Sequence, residues 1–467
     1  MTQQRGHVMF IGRQGEIGEL ERLYKAYKFQ CIIMYGRRRV GKTSIISEFI
    51  KDKEAIYFTG QETSANDNLE NLSQSILKDF PFTSPVFKGY KEALEAVFDM
   101  SQSRRIILAI DEYPYLAQSY RGISSMLQTL IDKYKDTSKL FIILCGSSLS
   151  FMENQVLGYS SPLYGRRTAQ FKILPFDFEQ TKEYFNQGNF SREDIALLYG
   201  ITGGIPLYLS LIDINLSVEV NIKQNFLSTS GYLFEEPGNL IKQECREPAQ
   251  YNAIIKAIAN GASRLSEISV KVGIESGVCS NYISKLISIG ILKKEYPFGV
   301  EKGKKAVYIL DDGMFRFWYR FVPGNMALIQ RGETDFAYSQ ILPQIPAYMG
   351  GVFEEISKEY LWQQNIARQT PIMFTDAGRW WGNNPKKKEE CEIDIVAANK
   401  DDAIFAECKW KNENVGVDVL ETLIERSDLF NYKQKHYYIF SKTGFAEGLK
   451  ARAHSEKNIS LIRYQDM

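Results

Sequence analysis

One eight-residue stretch constrains this chain more than any other. GRRRVGKT (36–43) follows the apolar run CIIMY (31–35) and precedes SIISEFIKD (44–52), which has helical spacing, so the order reads strand, loop, helix. It fits GxxxxGK[ST] in the context that pattern requires. Glycines at the turns let the backbone aim amide groups at phosphate oxygens, and the start of the helix adds a favourable dipole. Lys42 would reach the β and γ phosphates of a nucleotide and Thr43 would bind Mg2+. Gly36, Arg37, Arg38, Arg39, Val40, Gly41, Lys42, Thr43 and Ser44 form the candidate binding loop.

A second segment supports the first. RIILAIDEYPYL (105–116) reads as a buried strand that delivers Asp111 and Glu112 at its carboxyl end, where open α/β sheets place their ligands. Asp111 would share the Mg2+ with Thr43, and Glu112 would orient or deprotonate an attacking water. LFIILCG (140–146) is a further apolar run of the kind buried on both faces of a parallel sheet. Residues 1–235 therefore read as an α/β domain with a helical end, closed by a turn at EEPGN (235–239).

The pattern then changes. YNAIIKAIAN, LSEISVKVG and SGVCSNYISKLISIG are short helices, and ILKKEY and KKAVYIL follow as two strands around a glycine turn, the outline of a winged helix-turn-helix over 236–325. Its third helix turns Asn281, Ser284, Lys285 and Ser288 outward. With one lysine, this face suits protein docking as well as DNA, although Lys293, Lys294, Lys302, Lys304 and Lys305 can meet phosphates. With 57 Lys+Arg against 56 Asp+Glu, any nucleic-acid contact has to come from such a local patch.

The third region, 326–467, holds the helix GVFEEISKEYLW, the strands CEIDIVAA and AIFAECKW, another helix and a late strand HYYIFS. The polar loop NKDD (399–402) would pair Ala398 with Ala403 and so set Asp394 opposite Glu407, with Lys409 on the same face and Ile393, Ile395, Ile404 and Ala406 on the other. Two carboxylates and a lysine suit metal-assisted attack on a phosphodiester. The alternative is an exposed acidic hairpin whose Glu392 is neutralised by Lys409. Lys386, Lys387 and Lys388 offer a further basic loop.

FIGRQGEIGEL, YGRRRVGKTS, IDEYPYL, CGSS, PLYGRRT and GGIP, in this order, resemble the AAA+/STAND-type P-loop ATPases best known from archaea. Members commonly carry a winged helix and then a module similar to PD-(D/E)xK nucleases. The resemblance implies ATP and Mg2+ as ligands, Gly12 and Arg13 near the adenine, and Ser147 as a sensor of the γ phosphate. It also implies Arg166 or Arg167 as an arginine finger, in cis or from a neighbouring copy, and a lid helix starting at Gly204 and Pro206. In the C-terminal module Asp394, Glu407 and Lys409 would match the D…ExK core, with Glu354, or Glu355, as an added metal carboxylate. Ile393 stands where that motif has proline.

The fold class expected is thus a P-loop parallel sheet with a helical lid, a winged helix-turn-helix, and a PD-(D/E)xK-like α/β domain. The leading functional expectation is an ATPase whose nucleotide state controls a Mg2+-dependent nuclease. The other is an ATP-driven switch in which the same modules bind DNA or a protein, as a homo-oligomer or with a partner. Six scattered cysteines without a CxxC pair and the lack of any membrane-spanning or leader-like apolar stretch fit a reducing cytoplasm.

Overall fold

The apolar runs of the N-terminal half become neighbouring strands in the computed structural model, which describes residues 10–79, 87–301, 303, 305–385 and 387–467. Five strands, β1 (Gln30–Tyr35), β2 (Ala55–Thr59), β3 (Ile107–Asp111), β4 (Phe141–Gly146) and β5 (Ala169–Lys172), form a sheet in the order β2-β3-β4-β1-β5. Every neighbouring pair is parallel. Each residue of β1, β3 and β4 is buried. Cys31, Ile33, Leu108, Ile110, Ile142 and Leu144 belong to the core on one face, and Ile32, Met34, Ala109, Phe141 and Ile143 to that on the other. Covered faces on both sides explain why these strands read as continuous apolar runs, each buried aliphatic side chain contributing roughly 1.5–3 kcal/mol.

This sheet belongs to the first of two compact units, built from residues up to Phe176 together with Ile205–Ser210; the second comprises Asp177–Gly204 and Leu211–Met467. EEPGN, expected as a turn, lies inside the helix Tyr232–Glu244. There Leu233, Glu236, Pro237, Leu240 and Ile241 are buried along one stripe, and that burial outweighs the hydrogen bond Pro237 cannot make.

In the second unit the helices Pro248–Ala259, Leu265–Val272 and Ser276–Ser288 precede an antiparallel pair, β6 (Leu292–Glu295) and β7 (Val307–Leu310). Lys302, Lys304 and Lys386 lie outside the described residues. Helix Gly313–Phe321 buries Phe315, Phe317 and Phe321, and the long helix Ile345–Ile366 follows. A second sheet closes the chain, with β8 (Asp376–Asn384), β9 (Glu389–Ala398), β10 (Asp402–Lys409), β11 (Gln434–Ser441) and β12 (Ile459–Arg463) in the order β12-β11-β10-β9-β8. Its β8-β9-β10 part is antiparallel and its β10-β11-β12 part parallel. The sequence reading missed β8, a glycine-containing irregular strand, and β12. No helix among the described residues is long and apolar enough to cross a membrane.

Candidate functional site

Three parallel strands bring the first site together at their carboxyl ends. β1 runs into the loop Gly36–Gly41, β3 ends at Asp111, and β4 ends one residue before Ser147. A Cβ on Gly36 would lie 2.2 Å from the Ile173 carbonyl oxygen, so the loop leaves β1 along a path only glycine can take. Gly41 has φ 89° and caps the helix Lys42–Ile50 from the left-handed region.

Lys42 is buried, and its ammonium donates to the carbonyls of Gly36 (2.9 Å) and Arg37 (2.8 Å). Burial pulls its pKa down, and the ammonium is held in the loop by two carbonyls rather than by a carboxylate, an arrangement that fits phosphate. Thr43 and Ser44 are exposed at the helix start. Thr43 Oγ1 donates to Asp111 Oδ2 (2.7 Å), Tyr57 Oη donates to the same oxygen (2.8 Å), and the Glu112 amide donates to Asp111 Oδ1 (2.9 Å). Burial pushes the Tyr57 phenol up to about 12, so it remains a donor.

Glu112 has φ 47°, a strained region for a residue with a side chain, and its carboxylate accepts from Ser147 Oγ at 2.9 Å. Asp111, Glu112 and Ser147 therefore form one connected group with Thr43. Arg38 donates to Tyr115 Oη (2.7 Å) and Arg39 to Tyr208 Oη (3.3 Å).

The residues expected near the base play a bracing part. Arg13 is buried, donates to the carbonyls of Val40 (3.0 Å) and Leu174 (2.6 Å), and lies over the Phe176 ring at 4.6 Å. It ties the segment after Gly12, itself at φ 73°, to the phosphate loop. Pro206 begins the short helix Pro206–Leu209, and the Leu207 amide reaches the Arg39 carbonyl at 3.4 Å. Arg166 is engaged by Asp132 (2.8 Å), and Arg167 donates to the Leu157 carbonyl (3.3 Å).

In the C-terminal sheet, β9 and β10 pair Ala398 with Ala403 and continue to Ile395 with Ala406, the alignment deduced from the NKDD loop. Asp394 and Glu407 come next. Asp394 Oδ2 accepts from the Cys408 amide (2.8 Å), while Lys409 bonds Glu407 (2.6 Å). Glu392 takes Arg379 of β8 as its partner, not Lys409.

A bulge accounts for another departure. Between the pairs Gly378 with Val396 and Trp380 with Ile393, β9 advances three residues for two on β8, which changes the side on which Ile393 emerges. Ile393 joins the core of Val396 and Phe405 instead of sharing a face with Ile395.

Glu355 is bound by both terminal nitrogens of Arg316 (2.9 and 3.0 Å), a partner the sequence reading did not find. Glu354 and Asp394 both line a cavity of about 360 Å³. Burial, with the charge of Asp394, pushes Glu354 up to about 8; burial, with the charge of Glu407, pushes Asp394 up to about 7. Among the described residues no group of three or more His, Cys, Asp or Glu side chains is arranged to hold a metal ion.

The first site lies within a stretch that matches a known family. A sequence family described as "ATPase domain predominantly from Archaea" matches residues 10–212, and one described as "Archaea bacterial proteins of unknown function" matches residues 318–420. An uncharacterised protein of Methanocaldococcus jannaschii is 32% identical over 407 residues, covering 86% of this chain and 88% of its own. The chain belongs to this family of archaeal P-loop ATPases. An uncharacterised ATP-binding protein of the same organism shares 49% identity over 49 residues, 10% of this chain and 83% of its own. The Walker-type ATPase of Pyrococcus abyssi shares the fold, with a TM-score of 0.50 at 20% identity over 66% of this chain and 96% of that one.

Proposed function

We propose that this P-loop ATPase is an ATP-hydrolysing switch. In this reading nucleotide state governs how a winged helix-turn-helix (236–325) and the C-terminal α/β domain (326–467) dock DNA or a protein partner, or assemble as a homo-oligomer, without cutting nucleic acid. The observation that carries it is the junction of Lys42, Thr43, Asp111, Glu112 and Ser147 at adjacent strand ends.

Lys42 and the loop amides would hold the phosphates, and Thr43 and Asp111 would hold Mg2+, which when bound offsets charge on the phosphate oxygens. Glu112 orients the attacking water and accepts its proton, and Ser147 fixes the direction of that carboxylate. Arg166 or Arg167 would act as the finger only after leaving its present partner. Gly12 and Arg13 frame the base side of the site, and Pro206 starts the lid helix.

The competing reading is a Mg2+-dependent nuclease at Glu354, Asp394, Glu407 and Lys409. It draws on the strand alignment and on two carboxyls pushed up in one cavity. That no group of three or more metal-ligating side chains is arranged to hold a metal ion among the described residues, and that Glu355 already has Arg316 as its partner, favour docking over cleavage.

Turnover of ATP by the parent, Lys42→Ala and Glu112→Gln chains tests the ATPase. Both variants should fall by at least about 100-fold, and turnover equal to the parent's in Lys42→Ala would refute the site. A panel of DNA and RNA substrates with Mg2+ decides between the two readings, since cleavage by the parent that Glu407→Ala abolishes would overturn the docking role.

A further inference from the structure

Asp111 is held from three directions, and one of them belongs to no part of the phosphate-loop or acidic motifs. Thr43 comes from the start of the helix Lys42–Ile50 and the Glu112 amide from the chain just beyond β3, whereas Tyr57 reaches across from the edge strand β2. β2 runs parallel to β3 with Tyr57 opposite Ala109 and Thr59 opposite Asp111. Tyr57 is thus two residues short of the strand end, at the distance a phenol spans and a serine or threonine does not. Side chains two apart on a strand share a face, and Ala55 and Tyr57 pack on the core that includes Val40, Ile45, Ile46 and Phe49 of the phosphate-loop side. The ring is therefore fixed by packing and only the hydroxyl is left to act.

An ionised carboxylate offers about four lone-pair sites. Two on Oδ2 are taken by Thr43 and Tyr57 and one on Oδ1 by the Glu112 amide, with the buried Cys145 thiol also against the carboxylate, so the carboxylate is held in one orientation. We propose that Tyr57 is a positioning residue that sets the Asp111 carboxylate for the divalent cation of the nucleotide complex. This inference rests on the ATPase reading above and adds to it a residue outside its motifs. Partners behind a metal ligand typically govern metal affinity by 10–100-fold, and Tyr57 stands in that relation to Asp111. A phenylalanine at position 57 would keep the packed ring and delete only the hydroxyl.

The test is nucleotide binding, not turnover. ATP affinity of the full chain is measured in EDTA and across a Mg2+ titration for the parent, Tyr57→Phe and Lys42→Ala, with melting temperature recorded for each. Tyr57→Phe should bind ATP as the parent does in EDTA, melt at a similar temperature, and need roughly tenfold more Mg2+ to reach half of the metal-dependent gain in affinity. An unchanged Mg2+ midpoint overturns the inference, as does a loss of affinity already present in EDTA, which would make Tyr57 a structural residue. Lys42→Ala separates the two failures: if it binds ATP like the parent, the nucleotide site itself is misplaced, and if it does not while Tyr57→Phe is unaffected, only the role of Tyr57 falls.

Discussion

At the level of single residues, the site is a set of side chains and bare Cα atoms with little room for exchange. Gly36 shows this most directly, because the atom a Cβ would strike is backbone, the Ile173 carbonyl oxygen 2.2 Å away. Gly36→Ala must displace either the phosphate loop or the segment after β5. Such overpacking costs about 1–3 kcal/mol, and we expect a lowered melting temperature together with weaker ATP binding; a variant that melts and binds like the parent would show that the loop moves freely. These positions were legible in the sequence because a loop that cradles phosphate demands glycine and lysine at fixed spacing. Tyr57, Tyr115 and Arg316 were not, since their partners lie 54, 77 and 39 residues away, and no local spacing records a contact of that range.

At the level of elements, burial decided where the sequence could be read. β1, β3 and β4 are covered on both faces and announce themselves as apolar runs, whereas β8 is an irregular edge strand whose exposed side follows no simple alternation. The alignment of β9 with β10 followed from loop length, but the bulge opposite Gly378–Trp380 is a property of the neighbouring strand. The helix Ile345–Ile366 carries a half-buried feature that the sequence did not show. Glu359 accepts from Tyr199 Oη (2.7 Å) and the Phe178 amide (2.8 Å), yet burial dominates and lifts its carboxyl from 4.5 to about 7. An acid raised in the fold binds its proton more tightly there than in the unfolded chain, so between these values the folded state holds more protons and stability falls as pH rises. Denaturant unfolding followed from pH 4.5 to 7 should therefore show a decline that is shallower in Glu359→Gln, which cannot titrate. Parallel pH profiles for the two chains would remove Glu359 as the source.

At the level of the whole molecule, the path of the chain offers a physical route for a switch. It leaves the first unit after Phe176, returns for Ile205–Ser210, and leaves again at Leu211. The returning segment is joined to the phosphate loop through the Leu207 amide on the Arg39 carbonyl and through Arg39 on Tyr208, and both of its ends continue directly into the second unit. A ligand shifts an equilibrium only by its differential affinity for two states; a nucleotide that reorders Arg39 acts on a segment with covalent connections to residues 204 and 211. Amide hydrogen exchange tests this on the intact chain, with and without ATP and Mg2+. Exchange should change in the helices Arg192–Thr202 and Val218–Phe226, on either side of the returning segment, as well as around the phosphate loop, and Lys42→Ala should show neither change. Protection confined to the phosphate loop and the ends of β1, β3 and β4 would mean that nucleotide is bound without being transmitted, and the proposed docking would then need a control other than ATP.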